Sequence, residues 1–214
     1  MRATRALVFD FNGTLSRDEP VLYAIYSELF AEHGRPLSET DYYGRLAGNT
    51  EKAIIHGWLG VEGEELEALV EKRIDRYVRA ADGSTVPPAV RDAVRHAASR
   101  VPVAIVSGAY RREIEPVVEK AGLTDAVRVL VAADDVTRGK PDPEGYIRAL
   151  EALAGHLEPA DVVAFEDTEA GIASARAAGL RCVAVRGTLP DERLAEAEAI
   201  VDEIDVALVR SLVG

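Results

Sequence analysis

Short apolar runs and helical stretches alternate regularly in the second part of the chain. The apolar runs lie at residues 101–107, 127–133, 161–167 and 181–187, and a helical stretch separates each run from the next. Such alternation is typical of a parallel, doubly wound sheet with helices on both faces. The run "ALVFD" at residues 6–10 reads as another strand of this sheet, so we expect an α/β fold.

The segment between the first strand and this alternating region is helical in character. It contains "DEPVLYAIYSELFAEHG", the short "SETDYYGRLAG", "NTEKAIIHGWLG" with an Asn/Thr cap, and the long amphipathic "GEELEALVEKRIDRYVRAAD". Asp18 is placed to cap the first of these helices, and "GSTVPP" ends the helical segment. We therefore expect an α/β core made of residues 1–16 and 84–214, and an inserted helical cap at residues 17–83.

The stretch "VFDFNGTLS" admits two interpretations. An Asn-Gly pair between apolar residues is a strong signal for a β-hairpin. The residues that follow Asn12-Gly13 have helical periodicity, however, so the second strand of a hairpin is missing. The interpretation that remains is a strand that ends at Asp10 and is followed by a glycine turn.

The composition argues against several classes of function. The chain of 214 residues has 37 acidic against 25 basic residues and a formal charge of −12, which disfavours binding to a phosphate backbone. Its single cysteine, Cys182, cannot form an internal disulfide or a thiolate metal cluster. The apolar run around Cys182 predicts a buried, inert thiol.

We expect neither a targeting segment nor a membrane-spanning segment. The first residues, "MRATRALVFD", enter a strand directly, without the apolar segment of a signal peptide. No apolar run approaches the roughly 20 residues that a membrane-spanning helix needs. We expect a cytoplasmic monomer or weak homodimer that binds a small molecule, with neither nucleic acid nor membrane as a partner.

Polar side chains follow the predicted strands at the points where the strands end. Asp10, Ser107-Gly108 and Glu166-Asp167 occupy three such ends, and Lys140 lies in a Gly/Pro-rich loop after another strand. In an open parallel sheet the carboxyl ends of the strands form one edge, and ligands bind there. We therefore expect three carboxylates, one hydroxyl and one lysine to converge.

This set of side chains suits phosphoryl transfer. Clustered carboxylates that would repel one another are best explained by a hard divalent cation with oxygen ligands, and Mg²⁺ is the expected ion. Asp10 can then attack phosphorus as a nucleophile and form an aspartyl phosphate. Ser107 and the amides beside it can hold the transferring oxygens, and Lys140 can neutralise their charge.

Four ordered motifs resemble those of the haloacid dehalogenase-like hydrolase superfamily: "DFNGTL", "IVSG", "GKPDPEGY" and "FEDTEAGIASARAAG". Their spacing and the helical insertion resemble β-phosphoglucomutase and its related small-molecule phosphatases. The resemblance implies a Rossmann-like core, a mobile cap that closes over the site and selects the substrate, and hydrolysis of a small phosphorylated metabolite.

The resemblance also implies roles for individual residues. Asp10, the backbone carbonyl of Asn12 and Asp167 would hold Mg²⁺, with Glu166 beside the ion or among its ligands. The residues expected to act in catalysis are Asp10, Asn12, Ser107 and Lys140. The residues expected to bind the substrate are Gly13, Ser107, Gly108, Lys140 and Glu51.

Asn12 departs from the family pattern, in which a second Asp protonates the leaving oxygen and activates the attacking water. An amide keeps its carbonyl for a metal but cannot exchange a proton, and general acid–base help is worth about 10²–10⁴-fold in rate. Four explanations stay open. The substrate has a good leaving group, the proton comes from elsewhere, the domain binds a phosphorylated ligand or partner but scarcely turns over, or the Asn was introduced to trap a complex.

The helical segment departs from the mutase pattern at two positions. Leu22 stands about where the mutases have a His, and Glu51 stands where they have an Arg for a second phosphate. A carboxylate repels phosphate, which argues against phosphomutase activity; Glu51 can instead favour a cationic substrate or be a solvated residue in a first helical turn. Lys52 lies one position from the Schiff-base lysine of phosphonoacetaldehyde hydrolases, a rotation of about 100° on a helix. C–P bond cleavage is therefore a minor alternative.

Overall fold

The computed structural model describes residues 3–153 and 157–214, and the chain divides into two compact units. One unit comprises Met1–Arg17 and Asp82–Gly214, and the other comprises Asp18–Ala81. The boundaries differ by one or two residues from those that the sequence suggests. The reason is local, because Ser16 Oγ donates to Thr85 Oγ1 at 2.8 Å and Arg17 N–H donates to the carbonyl of Thr85 at 2.8 Å. These bonds keep Arg17 in the first unit.

The first unit is built on a parallel sheet. Among the residues that the structure describes, six strands form it in the order β3-β2-β1-β4-β5-β6. The strands are β1 (Ala6–Phe9), β2 (Val103–Val106), β3 (Val129–Val131), β4 (Val162–Glu166), β5 (Arg181–Val185) and β6 (Ala199–Val201). Every residue of β1, β2 and β4 is buried, as expected for central strands that are covered on both faces. The predicted α/β sheet is confirmed.

Helices cover this sheet. They are α5 (Pro88–Ala98), α6 (Arg111–Lys120), α7 (Glu144–Ala152), α8 (Glu169–Ala177), α9 (Asp191–Leu194) and α10 (Val206–Val213), which are numbered after the four helices of the other unit. One core cluster joins Val8 and Ala104 of the sheet to Tyr146 of α7 and Ile172 of α8. Side chains alternate between the two faces of a strand, and Phe9 stacks on Phe165 with ring centroids 5.0 Å apart.

The second unit is helical, with α1 (Glu19–Glu32), α2 (Glu39–Asp41), a π-helical turn (Tyr42–Leu46), α3 (Glu51–Leu59) and α4 (Gly63–Ala80). Helix α4 packs against both α1 and α3. The aromatic rings form its core, in which Tyr26 contacts Phe30 and Tyr42, and Phe30 stacks on Trp58. The side chain of Thr50 accepts a hydrogen bond from Ala53 N–H, so the predicted cap of α3 is confirmed.

Two local expectations need correction. Asp18 precedes α1, but its side chain makes no capping hydrogen bond; its carboxylate accepts a hydrogen bond from the buried Tyr77 hydroxyl instead. Strand β6 was not expected, because it has only three residues, is partly exposed and lies at the sheet edge.

Cys182 is buried in β5, as predicted, and burial raises the pKa of its thiol.

No helix in the described part of the chain is long and apolar enough to cross a membrane.

Candidate active site

The carboxyl ends of two neighbouring strands, β1 and β4, bring the predicted acidic residues together. Asp10 directly follows β1, Glu166 ends β4, and Asp167 comes next. Because β1 and β4 are adjacent in the sheet, one oxygen from each of these three carboxylates lies within 4.8 Å of the others. All three residues are buried, so their mutual repulsion is poorly screened by solvent.

Lys140 lies between two of these carboxylates. Its Nζ is 2.5 Å from Asp10 Oδ1 and 2.5 Å from Glu166 Oε1, and it donates to the carbonyl of Val106 at 3.1 Å. Burial alone would lower the pKa of the ammonium, but the charges of Asp10 and Glu166 outweigh burial and raise it. Lys140 is therefore held as a cation beside two carboxylates.

The loop between β3 and α7 delivers Lys140, and its backbone is anchored at both ends. Glu144 accepts hydrogen bonds from the N–H groups of Thr137 and Arg138 at 3.0 Å each. Ser174 Oγ, on α8, donates to the carbonyl of Asp142 at 2.6 Å. These bonds fix the loop on either side of the lysine.

Glu166 is completely buried. Its Oε1 accepts a hydrogen bond from Tyr146 at 2.6 Å in addition to the contact with Lys140. Its Oε2 is buried and has no hydrogen-bond partner among the residues that the structure describes. A Cβ at Gly171 would overlap this carboxylate, so the side chain fits only against a glycine. Burial raises the pKa of Glu166, against the opposing effect of Lys140.

Asp167 is oriented by two hydroxyl groups. Thr188 Oγ1 donates to Oδ2, and Thr14 Oγ1 lies 3.4 Å from Oδ1. Gly13 has a positive φ of 72°, and a Cβ there would overlap both Asp167 and Thr188. The turn after β1 thus needs glycine for its conformation and for its close approach to Asp167.

The remaining predicted residues of the α/β unit lie beside these groups in the chain. Ser107 is buried directly after β2, and its Oγ accepts a hydrogen bond from Ala109 N–H at 3.1 Å. Gly108 is exposed. Gly13 N–H donates to the carbonyl of Ser16 at 2.8 Å, so this amide is engaged within its own turn. Asn12 is half-buried in the same turn.

The predicted residues of the helical unit have partners of their own. Glu51 is the first residue of α3, and its carboxylate lies 3.8 Å from the guanidinium of the buried Arg73. Lys52 is exposed and lies 2.5 Å from Glu67. Leu22 is buried in α1. The charge of Glu51 is thus partly offset by Arg73, a partner that the sequence did not indicate.

Sequence reasoning missed three residues that orient the acidic cluster, namely Thr14, Tyr146 and Thr188. Thr188 follows β5 at the same edge of the sheet, and that position could have identified it. Tyr146 lies inside the quoted motif "GKPDPEGY", but helical periodicity makes it look like an ordinary core residue. Nothing in the sequence shows that its hydroxyl meets Glu166, 20 residues further along the chain.

The donor set fits a hard divalent cation. It consists of carboxylate oxygens that are buried, close together and only partly neutralised by one lysine. Oxygen-rich sites of this kind suit Mg²⁺, Ca²⁺ or Mn²⁺. Asp167, whose orientation the two threonines fix, is well prepared to bind such an ion.

A comparison with known families shows which family this chain belongs to. The family model described as haloacid dehalogenase-like hydrolase matches residues 4–179, which include β1, Lys140 and the Glu166-Asp167 pair. The chain belongs to the haloacid dehalogenase-like hydrolase family. The predicted family, the Rossmann-like fold and the enzyme class are confirmed.

This haloacid dehalogenase-like hydrolase is similar to the following relative and two solved structures over nearly all of its length. Validoxylamine A 7'-phosphate phosphatase from Streptomyces hygroscopicus subsp. limoneus is 32% identical over 206 residues, with 94% of each chain covered. The crystal structure of a putative β-phosphoglucomutase from Thermotoga maritima is 27% identical, with a TM-score of 0.73 and coverage of 97% and 99%. A mutant of CbbY from Rhodobacter sphaeroides in complex with xylulose-(1,5)bisphosphate is 25% identical, with a TM-score of 0.80 and 95% coverage of both chains. The chain is a phosphohydrolase of this family.

Proposed function

We propose that this protein hydrolyses the phosphate monoester of a small metabolite, with Asp10 as the nucleophile. The observation that carries the proposal is the contact of 2.5 Å between Lys140 Nζ and Asp10 Oδ1 at the carboxyl edge of the sheet. Burial raises the pKa of Asp10, and the charge of Lys140 opposes that rise. The same cation offsets the charge of an approaching phosphoryl group.

The proposed reaction has two displacement steps. A carboxylate oxygen of Asp10 attacks phosphorus, and the bond from phosphorus to the leaving oxygen breaks, with its electron pair going to that oxygen. Water then attacks phosphorus in the aspartyl phosphate, one of its protons passes to a phosphoryl oxygen, and the bond from phosphorus to the Asp10 oxygen breaks, so that inorganic phosphate leaves and the Asp10 carboxylate is restored. Lys140, the Ser107 hydroxyl and the Gly108 N–H are the proposed donors to the phosphoryl oxygens.

Mg²⁺ is the proposed cofactor. Asp10, Asp167 and the backbone carbonyl of Asn12 would hold it, with Glu166 close by. When bound, the ion supplies positive charge that lowers the repulsion between the phosphoryl oxygens and the carboxylates. The buried position of all three acidic side chains supports this assignment, because a buried anionic cluster needs compensating charge.

Asn12 sets the limits of this chemistry. Its amide cannot protonate a leaving oxygen or accept a proton from water, and the missing acid–base help costs about 10²–10⁴-fold. Acyl, enol and aryl phosphates release a leaving group that departs without a proton, and alkyl phosphates do not. We therefore propose a substrate with a good leaving group. A relative named for a 7'-phosphate supports a small phosphorylated molecule as the substrate.

The helical unit, Asp18–Ala81, is proposed to act as a substrate-selecting cap. Its Glu51, which pairs with Arg73, is the proposed contact for the non-phosphate part of a substrate. A carboxylate at this position does not suit a second phosphate, so phosphomutase activity is not proposed.

The test is Mg²⁺-dependent phosphate release from phosphoesters of graded leaving-group pKa, measured for this chain and for Asn12→Asp. Asp10→Asn is the control that removes the nucleophile. The proposal predicts turnover of acyl and aryl phosphates by this chain, poor turnover of alkyl phosphates, and rescue of the alkyl phosphates in Asn12→Asp. If only Asn12→Asp turns over any ester, this chain is a ligand-binding or trapped member of the family. If Asp10→Asn is as active as the parent, Asp10 is not the nucleophile.

A further inference from the structure

Tyr146 is a buried group that the reaction described above does not use. It is the third residue of α7 and is fully buried, and its hydroxyl donates to Glu166 Oε1 at 2.6 Å. A buried tyrosine hydroxyl usually finds a partner, but this partner is itself in contact with Lys140. The Tyr146 hydroxyl is therefore connected to Lys140 through Glu166, while Lys140 Nζ also lies 5.6 Å from the centroid of the Tyr146 ring.

All three hydrogen-bond donors of the Lys140 ammonium have an acceptor nearby. An ammonium group has three donors, and Lys140 Nζ has three acceptors around it, namely Asp10 Oδ1, Glu166 Oε1 and the carbonyl of Val106. Val106 is part of a buried strand and is fixed by the sheet. Glu166 is a side chain that can rotate, so the position of the ammonium depends on what holds Glu166.

Glu166 is held through one oxygen only. Tyr146 and Lys140 both donate to Oε1, whereas Oε2 has no hydrogen-bond partner within residues 3–153 and 157–214. On the side of α8, Gly171 leaves room for the carboxylate without a polar contact that would orient it. Among the described residues, Tyr146 is therefore the hydrogen-bond donor besides Lys140 that fixes the direction of the Glu166 carboxylate.

We propose that Tyr146 is a positioning residue that fixes Glu166 and, through it, holds the Lys140 ammonium against Asp10. The proposed effect on the position of the lysine stands on the structure alone. The expected effect of Tyr146 on turnover rests on the proposed phosphatase function. Tyr146→Phe removes the hydroxyl and keeps the ring that fills the core, so it isolates the hydrogen bond.

The position of the lysine can be measured without turnover. The chain has four lysines, and Lys52 and Lys72 have side chains about half exposed while Lys120 is also exposed. In ¹⁵N-lysine-labelled protein, Lys140 should give a slowly exchanging ammonium signal, because three protein acceptors bind it; its absence from Lys140→Arg assigns it. In Tyr146→Phe we expect this signal to shift and its hydrogen exchange to become about tenfold faster.

Two variants control this measurement. Tyr77→Phe removes another buried tyrosine hydroxyl, which donates to Asp18 in the helical unit, and it should leave the Lys140 signal unchanged. Glu166→Gln should disturb the signal, which keeps the proposal testable if Tyr146→Phe does not fold. The proposal is wrong if Tyr146→Phe or Glu166→Gln is folded and leaves both the shift and the exchange rate of Lys140 unaltered.

Turnover gives a second, independent readout. Tyr146→Phe should lower kcat by about tenfold and leave KM within about twofold, because the lysine is displaced while the substrate contacts remain. In a double-mutant cycle, Tyr146→Phe should not lower kcat further when Glu166→Gln is already present. Equal losses in both backgrounds would show that Tyr146 acts independently of Glu166. If the parent releases no phosphate from any ester, the proposed function fails, whereas the lysine spectrum still decides the positioning role.

Discussion

The ammonium nitrogen of Lys140 lies 2.5 Å from Oδ1 of Asp10, although 130 residues separate the two in the chain. The fold achieves this contact by ending β1 at the carboxyl edge of the sheet and by anchoring the loop between β3 and α7 at the same edge. The pair gives the phosphohydrolase a carboxylate that is buried and a cation that stays charged beside it.

Removing this cation should destabilise the protein. Lys140→Gln leaves two buried carboxylates near one another without their counter-charge, and breaking a buried ion pair typically costs about 3 kcal/mol. Urea unfolding in metal-free buffer measures the loss. Lys120→Gln, at an exposed position in the last turn of α6, should change the free energy of unfolding by less than about 0.5 kcal/mol. Equal stabilities of the two variants would show that the lysine contributes nothing to the folded state.

Mg²⁺ should raise the melting temperature by binding the acidic cluster. At a concentration of about 100 times its Kd, an ion that binds only the folded state adds about 2.7 kcal/mol. EDTA should reverse the shift. Asp167→Asn should remove most of it, whereas Asp92→Asn, an exposed residue of α5, should keep it. If Mg²⁺ does not change the melting temperature of the parent protein, the proposed metal site is wrong.

Gly171 should not tolerate a side chain. A Cβ at this position overlaps the Glu166 carboxylate, and overpacking of this kind costs about 1–3 kcal/mol. The matched control is Gly57→Ala in α3, where a Cβ meets nothing within 4 Å. That change should stabilise the protein by about 0.5–1 kcal/mol, because alanine favours a helix interior over glycine. Thermal unfolding should show a lower stability for Gly171→Ala and a higher stability for Gly57→Ala. A stabilised Gly171→Ala would contradict the close contact between Gly171 and Glu166.

Glu144 should make stability fall in acid. Hydrogen bonds from the N–H groups of Thr137 and Arg138, and then from Arg148, lower the pKa of Glu144 to about 2 from its usual 4.5. The unfolded chain therefore takes up the proton first, and the stabilisation is present above pH 4.5 and lost as the pH falls towards 2. Glu144→Gln should be less stable than the parent at pH 6, and the difference should shrink at pH 3. If the difference in stability between the parent and Glu144→Gln does not depend on pH, the charge of Glu144 does not anchor the loop between β3 and α7.

Much of the fold was predictable because its signals are local. The apolar runs of β1 to β5, the helical insertion and the glycine turn after Asp10 can all be read within windows of a few residues. Strand β6 could not, since three partly exposed residues carry no clear pattern. Its place in the sheet comes from pairing with β5, which is a contact between distant segments.

The residues of the site divide in a similar way. Asp10, Lys140, Glu166 and Asp167 were predictable because strand ends and motifs mark them. The hydroxyls that orient these groups were not, because Tyr146 and Thr188 reach their carboxylates through tertiary packing. The pairing of Glu51 with Arg73 across α3 and α4 was missed for the same reason. The sequence thus identifies chemical groups at strand ends, and the structure is needed to see what holds them.

The mass of the acid-quenched protein shows whether Asp10 carries the phosphoryl group, as proposed. The parent is mixed with Mg²⁺ and an acyl or aryl phosphate, quenched in acid, and analysed intact and after digestion. Because Asn12 cannot activate the attacking water, the aspartyl phosphate should accumulate, with one added phosphoryl group on the peptide that contains Asp10 and none in Asp10→Asn. Phosphate release at an undiminished rate by Asp10→Asn, with no phosphoryl group on Asp10 of the parent, would contradict the account.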